Sequence, residues 1–318
     1  MSKELSLIQF IERFSSEEKC IRYLFDVRNP SAVCAKCNGN RMSPISTRPH
    51  QFYCKDCHSQ YSVLKGTLFE NSKIPLHKWF LAIFLASRDK RGVSALTLSR
   101  ELDIARPHTL SMLRELRTLM ALRDQNYKLS EIIEMDEFYI GASGGKQGRG
   151  SSKNKVIIAL SYKTIAKNVE TDEFVAYYED SISEMFNEVS QYEIIDIPMY
   201  CKMSVVEALD SKTINEFVAD NIEIGSKIIT DNYRGYNRLL ETGNEHENVA
   251  FDLNGTQYKN LHIVISNLKS FVLGTYHGLG TEYLQSYLDE FCYRFNRRKI
   301  HDILFNKLLD LAIENPLS

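Results

Sequence analysis

Apolar residues follow two different rhythms along this chain. In "PLHKWFLAIFLASRDK" the positions Trp79, Phe80, Ile83, Phe84 and Leu85 make a helical stripe. In "SALTLSRELDIARPHTLSMLRELRTLM", residues 94–120, Ser94 is placed to cap a helix that carries Leu96, Leu98 and Leu102. The stripe breaks at "DIARP", because the residue before Pro107 disfavours helix. A new helix then carries Leu110, Leu113, Leu116 and Met120. Arg106, His108, Thr109, Ser111, Arg114 and Arg117 fall on its other faces, and Arg100 lies on the preceding helix. Two helices joined by a short break predict a helix-turn-helix-like module, with the second helix entering a DNA major groove. A helical hairpin with no nucleic-acid role has the same pattern.

After residue 128 the rhythm shortens. "EIIEMDEFYIG", residues 131–141, reads as a buried strand through Ile132, Ile133, Met135, Phe138, Tyr139 and Ile140, yet Glu134, Asp136 and Glu137 interrupt it. Carboxylates buried there cost several kcal/mol unless something positive pairs with them. "VIIALSY" and "IPMYCKMSVVEAL" are further strands, and "SKTINEFVADNI" is a helix with Ser211 as its cap. "SKIITDNYRGYNRLL" is a short strand that delivers Asp231 at its end, followed by a helix. Alternating strands and helices predict an α/β layer. The acidic stretch 164–198 fits no single element and reads as an insertion or a hairpin extension.

In "NLHIVISNLKSFVLGTYH" the residues Leu261, Val264, Ile265, Leu268, Phe271 and Val272 form one helix face against a core. His262, Ser266 and Lys269 share a lateral face, since seven residues make nearly two turns. A solvated His and Lys fits this spacing as well as a functional pair does. The tail "TEYLQSYLDEFCYRFNRRK" sets Tyr283, Leu284, Tyr287, Leu288, Phe291 and Phe295 at helical spacing as core. Its Arg294, Arg297, Arg298 and Lys299 read either as a solvated basic helix end or as a surface approaching DNA.

Composition narrows the class. The 318 residues allow two domains or more, with 43% hydrophobic and 25% charged residues, as in soluble globular proteins. No apolar run reaches the roughly 18 residues of a membrane span, and the acidic N-terminus is unlike a signal peptide, so a cytoplasmic protein is expected. The net charge of −2 conceals a tilt: residues 1–128 hold 21 Lys and Arg against 12 Asp and Glu, whereas residues 129–318 hold 18 against 29. A front of +9 joined to a back of −11 suggests a polyanion-binding module attached to something else.

Candidate chemistry sits in both halves. Cys34, Cys37, Cys54 and Cys57 form a C-x2-C, x16, C-x2-C pattern, which puts four thiolates around one zinc in a segment too short and polar to hold itself together. His50 and His58 read as surface residues beside that closed site, and Cys20, Cys201 and Cys292 as core fillers. If the strands of Asp136 and Asp231 are neighbours, their carboxylates share one pocket and repel unless a divalent cation lies between them. Oxygen ligands of this kind suit Mg²⁺ or Mn²⁺. For Asp136 alone, an edge-strand acid facing solvent remains open. In "GGKQGRG", Lys146 and Arg149 suit backbone phosphates, and a surface loop fits equally.

The stretches "EMDEFYIGASGGKQGRG", "IITDNYRGYNRL" and "LKSFVLGTYHGLGTEYLQSYLDEFCYRFNRR" resemble bacterial insertion-sequence transposases of the DDE superfamily, in the group with an N-terminal zinc ribbon. The resemblance runs from about residue 20 to 298 and implies an RNase H-like catalytic domain that binds two metal ions. It implies domains at 1–70 (N-terminal helix and zinc ribbon), 71–128 (helix-turn-helix-like) and 129–318 (catalytic). It places the first catalytic aspartate on Asp136, the second on Asp231 and the third catalytic residue, usually Glu or Asn, on His262, with Lys269 as the basic residue seven positions later. The Trp common in the family after the third residue is here Ile265. Metal-dependent cleavage at element ends and strand transfer into target DNA follow as implied activities, with double-stranded DNA as partner, Zn²⁺ as structural cofactor, Mg²⁺ or Mn²⁺ as catalytic cofactor, and at least a dimer during reaction. His262 keeps a second class open: a DNA-binding protein derived from such an enzyme and without catalysis.

Overall fold

The computed structural model describes residues 5–141, 153–168, 174–175, 192–250, 258–276 and 279–316. The chain divides into two bodies, residues 1–123 with 297–318, and residues 124–296.

The first body begins with two short helices, α1 (Leu7–Arg13) and α2 (Glu17–Arg28), each started by a serine side chain that accepts a backbone N–H three residues on. A three-stranded antiparallel sheet follows: β1 (Met42–Ile45), β2 (Arg48–Cys54) and β3 (Gln60–Ser62). Phe52 of β2 stacks on Phe25 of α2, with ring centroids 4.1 Å apart. Helix α3 (Leu76–Arg88) has no cap of its own at Pro75. The Glu17 carboxylate supplies one from α2, accepting the Leu76 and His77 N–H groups at 3.0 and 3.1 Å. Helices α4 (Ala95–Leu102) and α5 (Arg106–Asp124) come next. Ser94 caps α4, and Asp103 ends it with φ +49°. The last helix, here α9 (Leu304–Glu314), returns to this body. Its Phe305 lies among Phe10, Phe14 and Phe84, and the Ala312 carbonyl accepts the Leu68 N–H. Residues 297–318 therefore pack with the front of the chain, in the first body.

Two side chains of the helix pair point inward. Thr109 is fully buried, and its hydroxyl reaches the carbonyl oxygens of Ala95 and Arg106 at 2.9 and 3.0 Å, tying the starts of α4 and α5 together. It is thereby withdrawn from the DNA-facing set. Arg117 is also buried.

The second body is a two-faced sheet. β4 (Ile132–Ile140) pairs antiparallel with β5 (Asn154–Asn168), and β5 pairs on antiparallel with β7 (Tyr192–Val206). On its other side β4 runs parallel to β8 (Lys227–Thr230), and β8 parallel to β9 (Glu245–Asn248). The two-residue β6 (Phe174–Val175) pairs with the far end of β5. Residues 164–168 pair there with 192–196; apart from β6, residues 169–191 lie outside the described residues. Strand alternation sorts the two cores. Ile133 and Met135 pack with Ile214, Phe217 and Val218 of α6 (Ser211–Asn221). Phe138 and Ile140 pack with α7 (Lys259–Tyr276) and α8 (Leu284–Asn296). Asp210, not Ser211, caps α6. After Asp231 the chain makes a 3-10 helix, Arg234–Thr242, where an α-helix was expected.

The tail motif turns out to be interior. Arg294 is buried and donates to Glu290, itself buried, at 2.7 and 3.0 Å. The Tyr276 hydroxyl also reaches that carboxylate. The Asn296 side chain bonds the Cys201 backbone on both sides and reaches the Tyr127 hydroxyl. Arg294 is thus no solvated helix end, and Tyr283, expected in the core, is 40% exposed. Among the described residues, no helix is long and apolar enough to cross a membrane.

Replacing Thr109 with Val keeps its shape and removes its hydroxyl, so unfolding free energy should fall by about 1 kcal/mol, read from urea denaturation. An unchanged midpoint would show that the hydroxyl does not join α4 to α5.

Candidate active site and zinc site

The four cysteines come together as their spacing predicts. Cys34 and Cys37 flank one turn, Cys54 and Cys57 another, and all four sulfurs lie within 4.8 Å of one another. The Cys34–Cys57 and Cys37–Cys54 sulfur pairs are both 3.6 Å apart. Tetrahedral zinc with bonds of about 2.3 Å needs sulfurs about 3.8 Å apart, so the set suits a structural zinc. The turns are built alike: Asn38 and His58, each just after the second cysteine, have φ +59° and +57°. His58 therefore serves the turn. The Ser59 hydroxyl lies 3.2 Å from Cys34 Sγ and 3.1 Å from Cys57 Sγ. That contact, with backbone amides, draws the Cys34 thiol down to about 6 and lowers Cys57 as well, while the sulfurs crowded around Cys37 push its thiol up to about 12. Gly39 is required by crowding, since a β-carbon there would run into the Asp56 carboxylate, which Arg41 holds.

The acids converge in the second body. Asp136 sits mid-strand on β4, on the face toward α7, because it shares alternation with Phe138 and Ile140. Asp231 is the first residue beyond β8. The parallel register pairs Glu134 with Ile229, so two residues further along brings Asp136 level with Asp231, on strands about 4.8 Å apart. His262, in the first turn of α7, brings Nε2 to 3.6 Å from Asp136 Oδ2. Their side chains are 45% and 25% exposed, so the pair opens to solvent. Asp136 Oδ1 accepts the Glu137 N–H at 2.8 Å, and Asp231 Oδ1 accepts the Tyr233 N–H at 2.9 Å. Each carboxylate is thus oriented by a local amide.

Neighbouring groups report the same concentration of charge. The Tyr236 phenol is pushed well up, first by burial and then by Glu137, Asp136 and Asp231. The Tyr258 phenol is raised by burial and by Asp231, Glu134 and Asp136. Lys269 lies nearly two turns beyond His262, its ammonium 5.7 Å from the Phe138 ring centre. Sequence reasoning missed two partners of the flanking acids. Glu137 points to the opposite face and accepts the Tyr236 hydroxyl at 2.9 Å, linking β4 to the segment after Asp231. Glu134 accepts the Tyr162 hydroxyl, and burial raises its carboxyl. Strand alternation signals the faces but cannot name such partners.

On the helix pair, Arg100, Arg106, His108, Ser111 and Arg114 are exposed, with the Ser111 hydroxyl donating to Glu115 at 3.1 Å. Lys146 and Arg149 lie outside the described residues.

Comparison with known proteins adds an independent line. A family model for the ISXO2-like transposase domain matches residues 128–296, and one for a transposase zinc-ribbon domain matches residues 15–60. A Halobacterium salinarum protein, described as an uncharacterized protein in transposable element ISH50, is 34% identical over 142 residues. The matched stretch is 44% of this chain and 46% of that relative, so less than half of either chain is compared.

Chelation should release one zinc per chain and remove amide-exchange protection from residues 34–60 while the sheet of residues 124–296 keeps its own. Cys34→Ser should do the same without chelator. Retained protection in metal-free protein would show that the ribbon holds without zinc.

Proposed function

Since this chain belongs to the transposase family defined by the ISXO2-like domain, we propose that it cuts DNA at the ends of an insertion sequence and joins the freed ends to target DNA. The observation that carries this reading is the approach of His262 Nε2 to within 3.6 Å of Asp136 Oδ2, beside Asp231. Paired carboxylates with an imidazole at a solvent-open sheet edge make a donor set for Mg²⁺ or, given the nitrogen, more favourably Mn²⁺. A divalent cation bound there supplies Lewis-acid stabilisation of the oxygens that enter and leave phosphorus. Asp136 and Asp231 would hold the cation. His262 completes the set or orients the attacking oxygen. Lys269, farther along the same helix edge, meets a backbone phosphate and fixes the scissile bond against the carboxylates.

The sheet order supports an RNase H-like reading of the second body: three antiparallel strands, β7, β5 and β4, continue into two parallel ones, β8 and β9. In the first body, α4 and α5 with the sharp turn at Asp103 suit a helix-turn-helix. Arg106, His108 and Arg114 are then its DNA-facing residues, with Arg100 on a phosphate. Lys146 and Arg149 are proposed phosphate contacts from sequence alone. Two DNA ends joined in one event call for at least two chains during reaction.

Purified protein should nick DNA carrying the gene's own flanking ends in Mn²⁺ or Mg²⁺, and chelator or Asp136→Asn should abolish the cut. His262→Glu should lower the ratio of Mn²⁺-supported to Mg²⁺-supported cleavage, since it trades nitrogen for oxygen. An unchanged ratio would remove His262 from the donor set. Tight end binding with no cut in either metal would favour the non-catalytic DNA-binder. Arg106→Ala and Arg114→Ala should each weaken end binding and reduce the salt dependence of log K by about one unit. An unaltered slope for both would refute the placement of α5 on DNA.

A further inference from the structure

The strand pairing that sets Asp136 level with Asp231 stops short of both. β4 and β8 pair from Ile132 with Lys227 to Glu134 with Ile229, and the two aspartates lie two residues past the last pair. A tie across that open end comes from the opposite face of the sheet. Glu137, next to Asp136, turns toward the α6 side and accepts the Tyr236 hydroxyl at 2.9 Å. Tyr236 follows Asp231 by five residues and is buried in the core with Met135 and Ile214. The chain between them is closely held. Asp231 Oδ1 accepts the Tyr233 N–H at 2.9 Å, and the Tyr233 carbonyl accepts the Tyr236 N–H at 3.0 Å. The two tyrosine rings meet edge to face, with centroids 5.8 Å apart. A β-carbon on Gly235 would come within 2.5 Å of the Tyr233 ring and 2.8 Å of the Ile214 side chain, so this turn has no spare room. Burial, and then Glu137, Asp136 and Asp231, keep the Tyr236 phenol protonated, so it stays a donor.

We propose that Tyr236 is a positioning residue: through Glu137 it ties the segment that carries Asp231 to β4, and so sets the spacing of Asp231 from Asp136. The proposal rests on the reading of Asp136, Asp231 and His262 as a cation site. Glu137 and Asp136 are neighbours on one strand. Tyr236, Tyr233 and Asp231 are linked in series by the bonds above, so a shift at the phenol is passed on to the second carboxylate. A buried phenol facing a carboxylate is also costly to separate, because each group would be left without its partner.

Two mild substitutions separate this role from metal ligation and from plain stability. Tyr236→Phe keeps the ring and removes the hydroxyl. Glu137→Gln keeps an acceptor oxygen at the same reach and removes the charge. Three readouts apply to each full-length variant: Mn²⁺ affinity by calorimetry, exchange of the Tyr233 amide without metal, and the urea midpoint. The Tyr233 amide reports directly on Asp231, its acceptor. The tie predicts that Tyr236→Phe weakens Mn²⁺ binding by about tenfold or more and speeds Tyr233 exchange by about tenfold. Glu137→Gln, which still accepts from the phenol, should lose less on both. A lowered urea midpoint with wild-type Mn²⁺ affinity in Tyr236→Phe would leave the bond a stabiliser of the fold alone and overturn the proposal. A greater loss of Mn²⁺ in Glu137→Gln than in Tyr236→Phe would make the charge of Glu137 the active feature and overturn it too. If wild-type protein bound no Mn²⁺ and cut no DNA, the cation-site reading would fail. Tyr233 exchange would still decide the tie, and a wild-type rate in Tyr236→Phe would refute it.

Discussion

Asp136 on β4 and Asp231 just past the end of β8 are two acids on one face of the sheet, and the surrounding contacts of the second body gather at them. The parallel pairing of β4 with β8 sets Asp136 level with Asp231. Nothing in an α/β core requires this; hydrophobic residues at both positions would pack at less cost. The fold keeps the acids and directs their surroundings to them. Local amides orient one oxygen of each, and the imidazole of His262 stands at the open side. The flanking acids, Glu134 and Glu137, face opposite ways: Glu134 accepts the Tyr162 hydroxyl of β5, and Glu137 accepts the Tyr236 hydroxyl of the post-β8 segment.

A different constraint governs the ribbon in the first body. Its three short strands have little apolar content of their own beyond Phe52, which is spent on α2. Four sulfurs and the hydroxyl of Ser59 take the place of a core. The surrounding helices solve a capping problem in the same economical way, with Glu17 of α2 serving the start of α3. There a carboxylate from one element meets the bare amides of another's first turn, an arrangement that fixes a helix where no local Ser or Asp can do so.

Much of this was legible in the residues. The cysteine spacing gives four ligands outright, and period-two alternation in 131–141 separates the two faces of β4 correctly. Helical spacing likewise puts Leu261, Val264, Ile265 and Leu268 inward and His262 out. Failures cluster where a polar residue is buried. Thr109 and Arg117 were read as outward because polar residues usually are, but Thr109 bonds backbone oxygens within the helix pair. Arg294 looked like a solvated helix end and is paired inside with Glu290. The return of residues 297–318 to the first body could not be seen, since nothing local in an amphipathic helix names the surface it will cover. Glu134's partner Tyr162 comes from 28 positions away, beyond any local pattern.

Electron spin-echo spectroscopy of Mn²⁺ bound to the intact protein tests the central claim most directly. The account predicts nitrogen modulation from one histidine, lost in His262→Gln, and no bound Mn²⁺ at that site in Asp136→Asn. Mn²⁺ held equally well by Asp136→Asn, or wild-type Mn²⁺ without nitrogen modulation, would contradict a cation site made by Asp136, Asp231 and His262.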